Sequence, residues 1–146
     1  MRPSPTITLK SMSAGKPYLI NFSSHGSGEE GFLYVAAQPI VPFSIHRSFW
    51  TVGTPIGVMR GGHAHFETEM VLIAIQGTIR LECETREGLQ SSYVLDRPDQ
   101  GIYLPRLCWH TMHYSRDAIQ LALASTDYRE ADYIRDYEVY TQLARH

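Results

Sequence analysis

A chain of 146 residues that is 43% hydrophobic suits one domain with an ordinary core. Its net charge of -2 gives no electrostatic case for nucleic acid or an anionic membrane, so an acidic ligand needs a local cluster of arginines. Two cysteines, Cys83 and Cys108, make no disulfide framework. No apolar run approaches the roughly 18 residues of a membrane span, so the cytoplasm is the expected compartment.

Residues 1–16 are polar, with prolines and serines, and read as a flexible N-terminal arm; residues 17–146 read as a single domain. Tyr18 to Phe22 is a short strand. Ser23 to Gly31, rich in Ser and Gly, is expected to turn, and Phe32 to Ala37 is a second strand. Phe43 to Val52 is a third, and Gly53 to Gly57 is a loop that delivers a strand carrying His63 and His65. The apolar run Val71 to Ile75 reads as a buried strand, closed into a hairpin by the turn at Gln76-Gly77. Ile79, Leu81 and Cys83 then alternate with Arg80, Glu82 and Glu84, the pattern of a half-buried strand. Ser91 to Leu95 follows, then Ile102 to Pro105 paired with Trp109 to His113, then Ile119 to Ser125. Short strands at regular intervals with Gly or Pro between them argue an all-β barrel or sandwich. Asp132 to Leu143 differs, with Tyr133, Tyr137 and Tyr140 at helical spacing, and predicts a short C-terminal helix.

The stretch Met59 to Gly77 (MRGGHAHFETEMVLIAIQG) carries the chemistry. Residues i and i+2 of a strand share a face, so the imidazoles of His63 and His65 point the same way, roughly 6.5–7 Å apart by strand rise. They can bind a metal, move protons or simply pack. On strand parity His110 and Met112 share a face and His113 takes the other.

Gly57, His63 and His65 fit the start of the first cupin motif, and Pro105 and His110 the centre of the second, with Leu107 in place of its glycine. This resemblance implies a cupin jelly-roll barrel in which His63, His65 and His110 converge, a plausible set for a divalent metal. The motif's carboxylate position falls on Met70. Glu69 is one residue off, and a one-residue slip turns a side chain to the opposite face.

A closer resemblance rests on Arg60 to His65 (RGGHAH), Trp109-His110, and the tail Leu123 to Tyr137 (LASTDYREADYIRDY). Together these resemble the nucleotide-sugar 3,4-ketoisomerases of the WxcM-like cupins. The resemblance implies an isomerase that moves the ketone of a dTDP-4-keto-6-deoxyhexose from C4 to C3 through an enediol, with no metal or nicotinamide cofactor. It implies a dTDP-linked keto sugar as partner, no nucleic acid, no membrane, and a homodimer with exchanged N-terminal strands. The catalytic groups it implies are His63 and His65, with His65 favoured as the base, and Arg60 to steady the oxyanion. Arg47, Trp50, Met70 and His110 are expected to contact substrate.

The family carries tyrosines on the strand before the motif, where this chain has Phe49 and Trp50, and commonly Gln where Met70 stands. Tyr103 is the expected replacement phenol. The tail residues Tyr133, Arg135 and Tyr137 are expected to close the barrel or the dimer. Two other readings stay open: a sugar-nucleotide-binding cupin without catalysis, and a metal-dependent cupin using His63, His65 and His110.

Overall fold

The computed structural model describes residues 15–144; most of the N-terminal arm expected over residues 1–16 lies outside them. Twelve strands, one short 3-10 helix (Glu130–Asp132) and one α-helix are formed among the described residues. The strands are β1 (Tyr18–Asn21), β2 (Ser23–Ser27), β3 (Gly31–Val35), β4 (Arg47–Val52), β5 (Arg60–His65), β6 (Met70–Gln76), β7 (Ile79–Glu84), β8 (Gln90–Leu95), β9 (Gln100–Leu104), β10 (Trp109–Tyr114), β11 (Ile119–Ala124) and β12 (Tyr133–Ile134). The helix α1 spans Tyr137–Ala144. The strands form two five-stranded sheets, ordered β1-β9-β6-β11-β4 and β12-β5-β10-β7-β8, with β2 and β3 as a separate hairpin. This is the jelly-roll architecture expected of a cupin. No helix among the described residues is long and apolar enough to cross a membrane.

Side-chain alternation explains the layering. Ile79, Leu81 and Cys83 of β7 are buried while Arg80 and Glu82 are exposed. The central strand β6 is apolar throughout its first five residues because it is covered on both faces. Met70, Leu72 and Ala74 enter the core between the sheets. Val71 and Ile73 point the other way, into a second cluster with Ile20, Phe22, Val41 and Phe43. Each fully buried side chain of this kind contributes ~1.5–3 kcal/mol of transfer free energy. A third cluster, Ala64, Ile134 and Tyr140, seals the outer side of β5 under α1.

Three sequence expectations are corrected. Ser23 to Gly31 is largely strand: β2 pairs with β3 from Ser23↔Val35 to Ser27↔Gly31, since main-chain pairing tolerates poor strand formers. The turn at Gln76-Gly77 is not a hairpin, because β6 and β7 belong to different sheets, and the same holds for β9 and β10. Each of these links carries the chain across the sandwich. Finally, the helix begins at Tyr137 rather than Asp132. Tyr133 and Ile134 pair with His65 and Ala64 instead, extending the second sheet.

Asp136 explains where the helix starts. Its carboxylate accepts the backbone N–H groups of Glu138 at 2.9 Å and Val139 at 3.2 Å, the bonds of an N-cap. Replacing it, Asp136→Ala, should lower stability by ~1 kcal/mol. A shift of the urea midpoint measures this; an unchanged midpoint would mean the helix contributes nothing to the folded state's stability.

Candidate active site

The local structure of β5 is set by its two glycines. Against β10, His63 pairs with His110, Gly61 with Thr111 and Arg60 with Met112, so Gly62 is an extra residue in a β-bulge. Gly61 and Gly62 have φ of 83° and 73°, in the left-handed region. A Cβ on Gly61 would sit 2.8 Å from the backbone oxygen of His110. The bulge has a functional consequence. It reverses strand parity between Arg60 and His63, so Arg60 joins His63 and His65 on the inner face although it is three residues before His63. There Arg60 reaches the hydroxyl of Tyr114.

The imidazoles converge as parity demands. The ring centroids of His63 and His65 are 5.0 Å apart and those of His63 and His110 are 4.8 Å apart, both edge to face. The first distance is shorter than strand rise predicts because the rings, inclined at 77°, lean together. Tyr133 closes the group from the neighbouring strand, its centroid 4.9 Å from His63 and 4.5 Å from His65. His110 Nδ1 donates to the carbonyl of Cys108 at 3.1 Å, which leaves Nε2 as the acceptor nitrogen. That Nε2, His63 Nδ1 and His65 Nε2 are all buried without a partner.

Burial is the main reason these imidazoles stay neutral. It pulls His63 down to about 3 and His65 to about 2, helped by neighbouring histidines and, less strongly, by nearby arginines. His110 is lowered by the same desolvation. Arg135 lies over the Tyr133 ring at 4.3 Å, and Arg47 lies between the rings of Phe49 and Tyr128, at 5.1 and 5.6 Å. Between these groups is a cavity of about 190 Å³, walled in part by Phe49, Arg60, His63, Met70, His110 and Tyr133. Among the described residues no three His, Cys, Asp or Glu side chains are arranged to hold a metal ion.

Comparison with known proteins agrees with this architecture. The family model FdtA (WxcM-like, C-terminal) matches residues 16–145. This chain belongs to the WxcM-like family. A TDP-4-oxo-6-deoxy-alpha-D-glucose-3,4-oxoisomerase of Aneurinibacillus thermoaerophilus is 34% identical over 121 residues, covering 82% of this chain and 86% of the relative. A 3,4-ketoisomerase from Helicobacter canadensis superposes with a TM-score of 0.83 at 30% identity, over 89% of this chain and 98% of that one. A variant of the 3,4-ketoisomerase from Thermoanaerobacterium thermosaccharolyticum, in complex with TDP-4-keto-6-deoxyglucose, gives a TM-score of 0.83 at 26% identity, over 89% of this chain and 94% of that one.

In this WxcM-like protein the sequence-predicted residues divide by strand face. Arg60, His63, Met70 and His110 line the cavity. His65 is 3% exposed and sits behind that wall against Tyr133. Arg47 faces the same side, with its Nε buried and unpartnered. Two expectations fail. Trp50 is 67% exposed, because alternation along β4 turns Phe49 and Thr51 inward and Trp50 outward. Tyr103 joins the outer cluster, while its neighbours Ile102 and Leu104 enter the core; its hydroxyl donates to Glu69 at 2.6 Å. Of the two positions where the resemblance implies tyrosine, only Phe49 reaches the cavity.

The residues that sequence reasoning underrated are Tyr133 and Arg135, which line the cavity itself. The available signal was the capping aspartate. Asp136 as N-cap starts the helix only at Tyr137, which leaves Tyr133 free to pair as strand.

Neutral buried imidazoles make stability depend on pH. Below about pH 6.5 the unfolded chain takes up protons that folded His63 and His65 refuse. Stability should therefore be intact above that pH and fall as pH drops towards 3, by up to ~1.4 kcal/mol per pH unit for each imidazole. Urea midpoints at pH 7 and pH 5 test this, and His65→Asn should flatten the slope. An equal slope in the variant would show that His65 is already charged in the folded protein.

Proposed function

We propose that this chain moves the ketone of a TDP-4-keto-6-deoxyhexose from C4 to C3. The observation that carries the reading is the pair of neutral imidazoles, 5.0 Å apart, at a small cavity flanked by arginines. It is supported by membership of the family and by the relatives named as 3,4-ketoisomerases.

The reaction needs only proton traffic. A base takes the C3 hydrogen while the C4 oxygen gains a proton, which gives an enediol. The O3 proton then leaves and C4 gains a hydrogen. The electron pair stays within the sugar, so no redox partner is required. Neutral imidazole can accept at one nitrogen and donate at the other. His63 lines the cavity and takes the C3 hydrogen, while His65, packed 5.0 Å from it behind that wall, relays the proton from O3 to O4 through a bridging water. This reverses the preference for His65 drawn from sequence. Arg60, on the same face, steadies the charge that grows on the enediol oxygens.

A cavity of about 190 Å³ admits a sugar ring but is smaller than the ~300 Å³ or more of a typical site for a larger ligand. The nucleoside diphosphate therefore lies outside it, beside Arg47 and Arg135. Arg135 helps hold the pKa of the base His63 down, and both cations lower that of His65. A diphosphate between them offsets their field and strengthens the imidazole base when substrate arrives.

The partner surface has its own support. Both strands of the β2–β3 hairpin are exposed along their length, with Phe32 at 56% and Leu33 at 63% exposure. The outer face of the first sheet exposes Trp50 and Val52 beside it. Patches of this kind mark interaction surfaces, and a homodimer that exchanges the N-terminal strands would cover both. Sedimentation should give twice the chain mass; a monomer at micromolar concentration would end the dimer reading.

Proton NMR of TDP-4-keto-6-deoxyglucose with chelator-treated protein in D2O tests the activity. Loss of the C3 signal with a 3-keto sugar appearing is the expected result. His63→Asn should lower the rate ~10²–10⁴-fold with TDP affinity little changed. Tight TDP binding with no turnover by the unsubstituted protein would instead favour a binding module, the reading that Phe49 motivates.

A further inference from the structure

The proposed reaction needs a group to deliver a proton to C4, and no phenol stands on β4, where Phe49 walls the cavity. A phenol must then come from another element. Tyr103 lies on the outer face with its hydroxyl on Glu69. The buried hydroxyl of Tyr114 donates to Gln120 Oε1 at 2.5 Å. The hydroxyl of Tyr128, an exposed residue, donates to Glu130 at 2.6 Å. Tyr133 is the phenol that lines the cavity and packs on both motif imidazoles.

We infer that Tyr133 is the acid that protonates C4, taking from the C-terminal tail the role that Phe49 cannot fill. The inference rests on the ketoisomerase reading. Three features of the site support it. The ring sits 4.9 Å from His63, so the donor and the base border the same small space. Register fixes it there, because Tyr133 pairs with His65 across the β5–β12 ladder. Arg135 lies over its face at 4.3 Å and is itself held by two bonds to Glu130, at 2.8 and 3.0 Å. A fixed cation there offsets the charge that grows on the phenol oxygen as the proton leaves.

The proton balance closes. His63 takes the hydrogen from C3, breaking the C3–H bond, and its electron pair forms the C3=C4 double bond of the enediol. His65, through a bridging water, moves the O3 proton to O4. Tyr133 gives its proton to C4, the C3=C4 pair forms the new C4–H bond, and C3 becomes the ketone. Imidazolium His63 then returns one proton to the Tyr133 phenolate, directly or through water. No hydrogen need pass from C3 to C4 on one group.

The test compares the unsubstituted protein, Tyr133→Phe, and the double variant Phe49→Tyr/Tyr133→Phe, by NMR in D2O with TDP-4-keto-6-deoxyglucose. TDP titration on each checks that the binding surface is intact. If the unsubstituted protein does not isomerise, the ketoisomerase reading fails before this inference is reached. If it does, Tyr133→Phe should keep C3 exchange within ~3-fold while product formation falls ~10²-fold. The double variant should regain at least ~10-fold, since residue 49 borders the same cavity. A purely structural tyrosine would not be rescued by a phenol on another strand. Near-normal turnover in Tyr133→Phe, an equal fall of exchange and turnover, or no recovery in the double variant would each overturn the assignment.

Discussion

The site depends on one buried carboxylate. Asp132 is 4% exposed, and its side chain accepts the backbone N–H of Glu67 at 2.7 Å and the hydroxyl of Thr68. Its backbone oxygen accepts from Phe66 at 2.9 Å. These bonds tie the tail to the loop that leaves β5, about 65 residues earlier in the chain. A buried charge without partners would cost several kcal/mol, so the folded chain has one low-energy way to seat Asp132. Once it is seated, Tyr133 must pair with His65 and Arg135 must come to the cavity. The family tail therefore reads as a structural latch followed at once by site residues.

Electrostatics then divides the labour between the inside and the mouth. Burial keeps all three imidazoles neutral; neighbouring histidines lower His63 and His65 further, and Arg135 acts on both of these while Arg47 acts on His65. An empty site of this kind is a weak base. In the proposed reaction an anionic substrate changes that balance, because its charge offsets the arginines. On the proposed reading, binding energy from the nucleotide end, remote from the reacting carbons, is in this way converted into reactivity at them.

Most strands were legible from alternation and turn residues, because a half-buried strand writes its periodicity directly into its side chains. Face assignment was less legible. Parity correctly separated His110 and Met112 from His113. It could say that Phe49 and Trp50 point in opposite directions, but not which of them points inward, since that depends on which sheet covers β4. Tyr103 failed for the same reason. Arg60 lines the same cavity as His63, whereas simple alternation puts it on the opposite face; the Gly61-Gly62 bulge is what reconciles the two. Hairpin expectations failed where a tight turn crosses between sheets, which local sequence does not distinguish from a turn within one.

Leu107 shows how the outer packing reaches the chemistry. It stands where the cupin motif has glycine and keeps a glycine-like backbone, with φ of 59°. For a leucine this costs about 1–2 kcal/mol. The surroundings offset that cost. Its N–H donates to the carbonyl of His65 at 2.7 Å, its own carbonyl accepts from the Tyr140 hydroxyl at 2.9 Å, and its side chain packs on Ala64, Ile134 and Tyr140. The helix thus holds Leu107 through Tyr140, and Leu107 holds the backbone of His65 and leads into the turn that orients His110. Leu107, held in a left-handed turn, thereby couples the strands that carry the three histidines to the helix on the far side of the sheet.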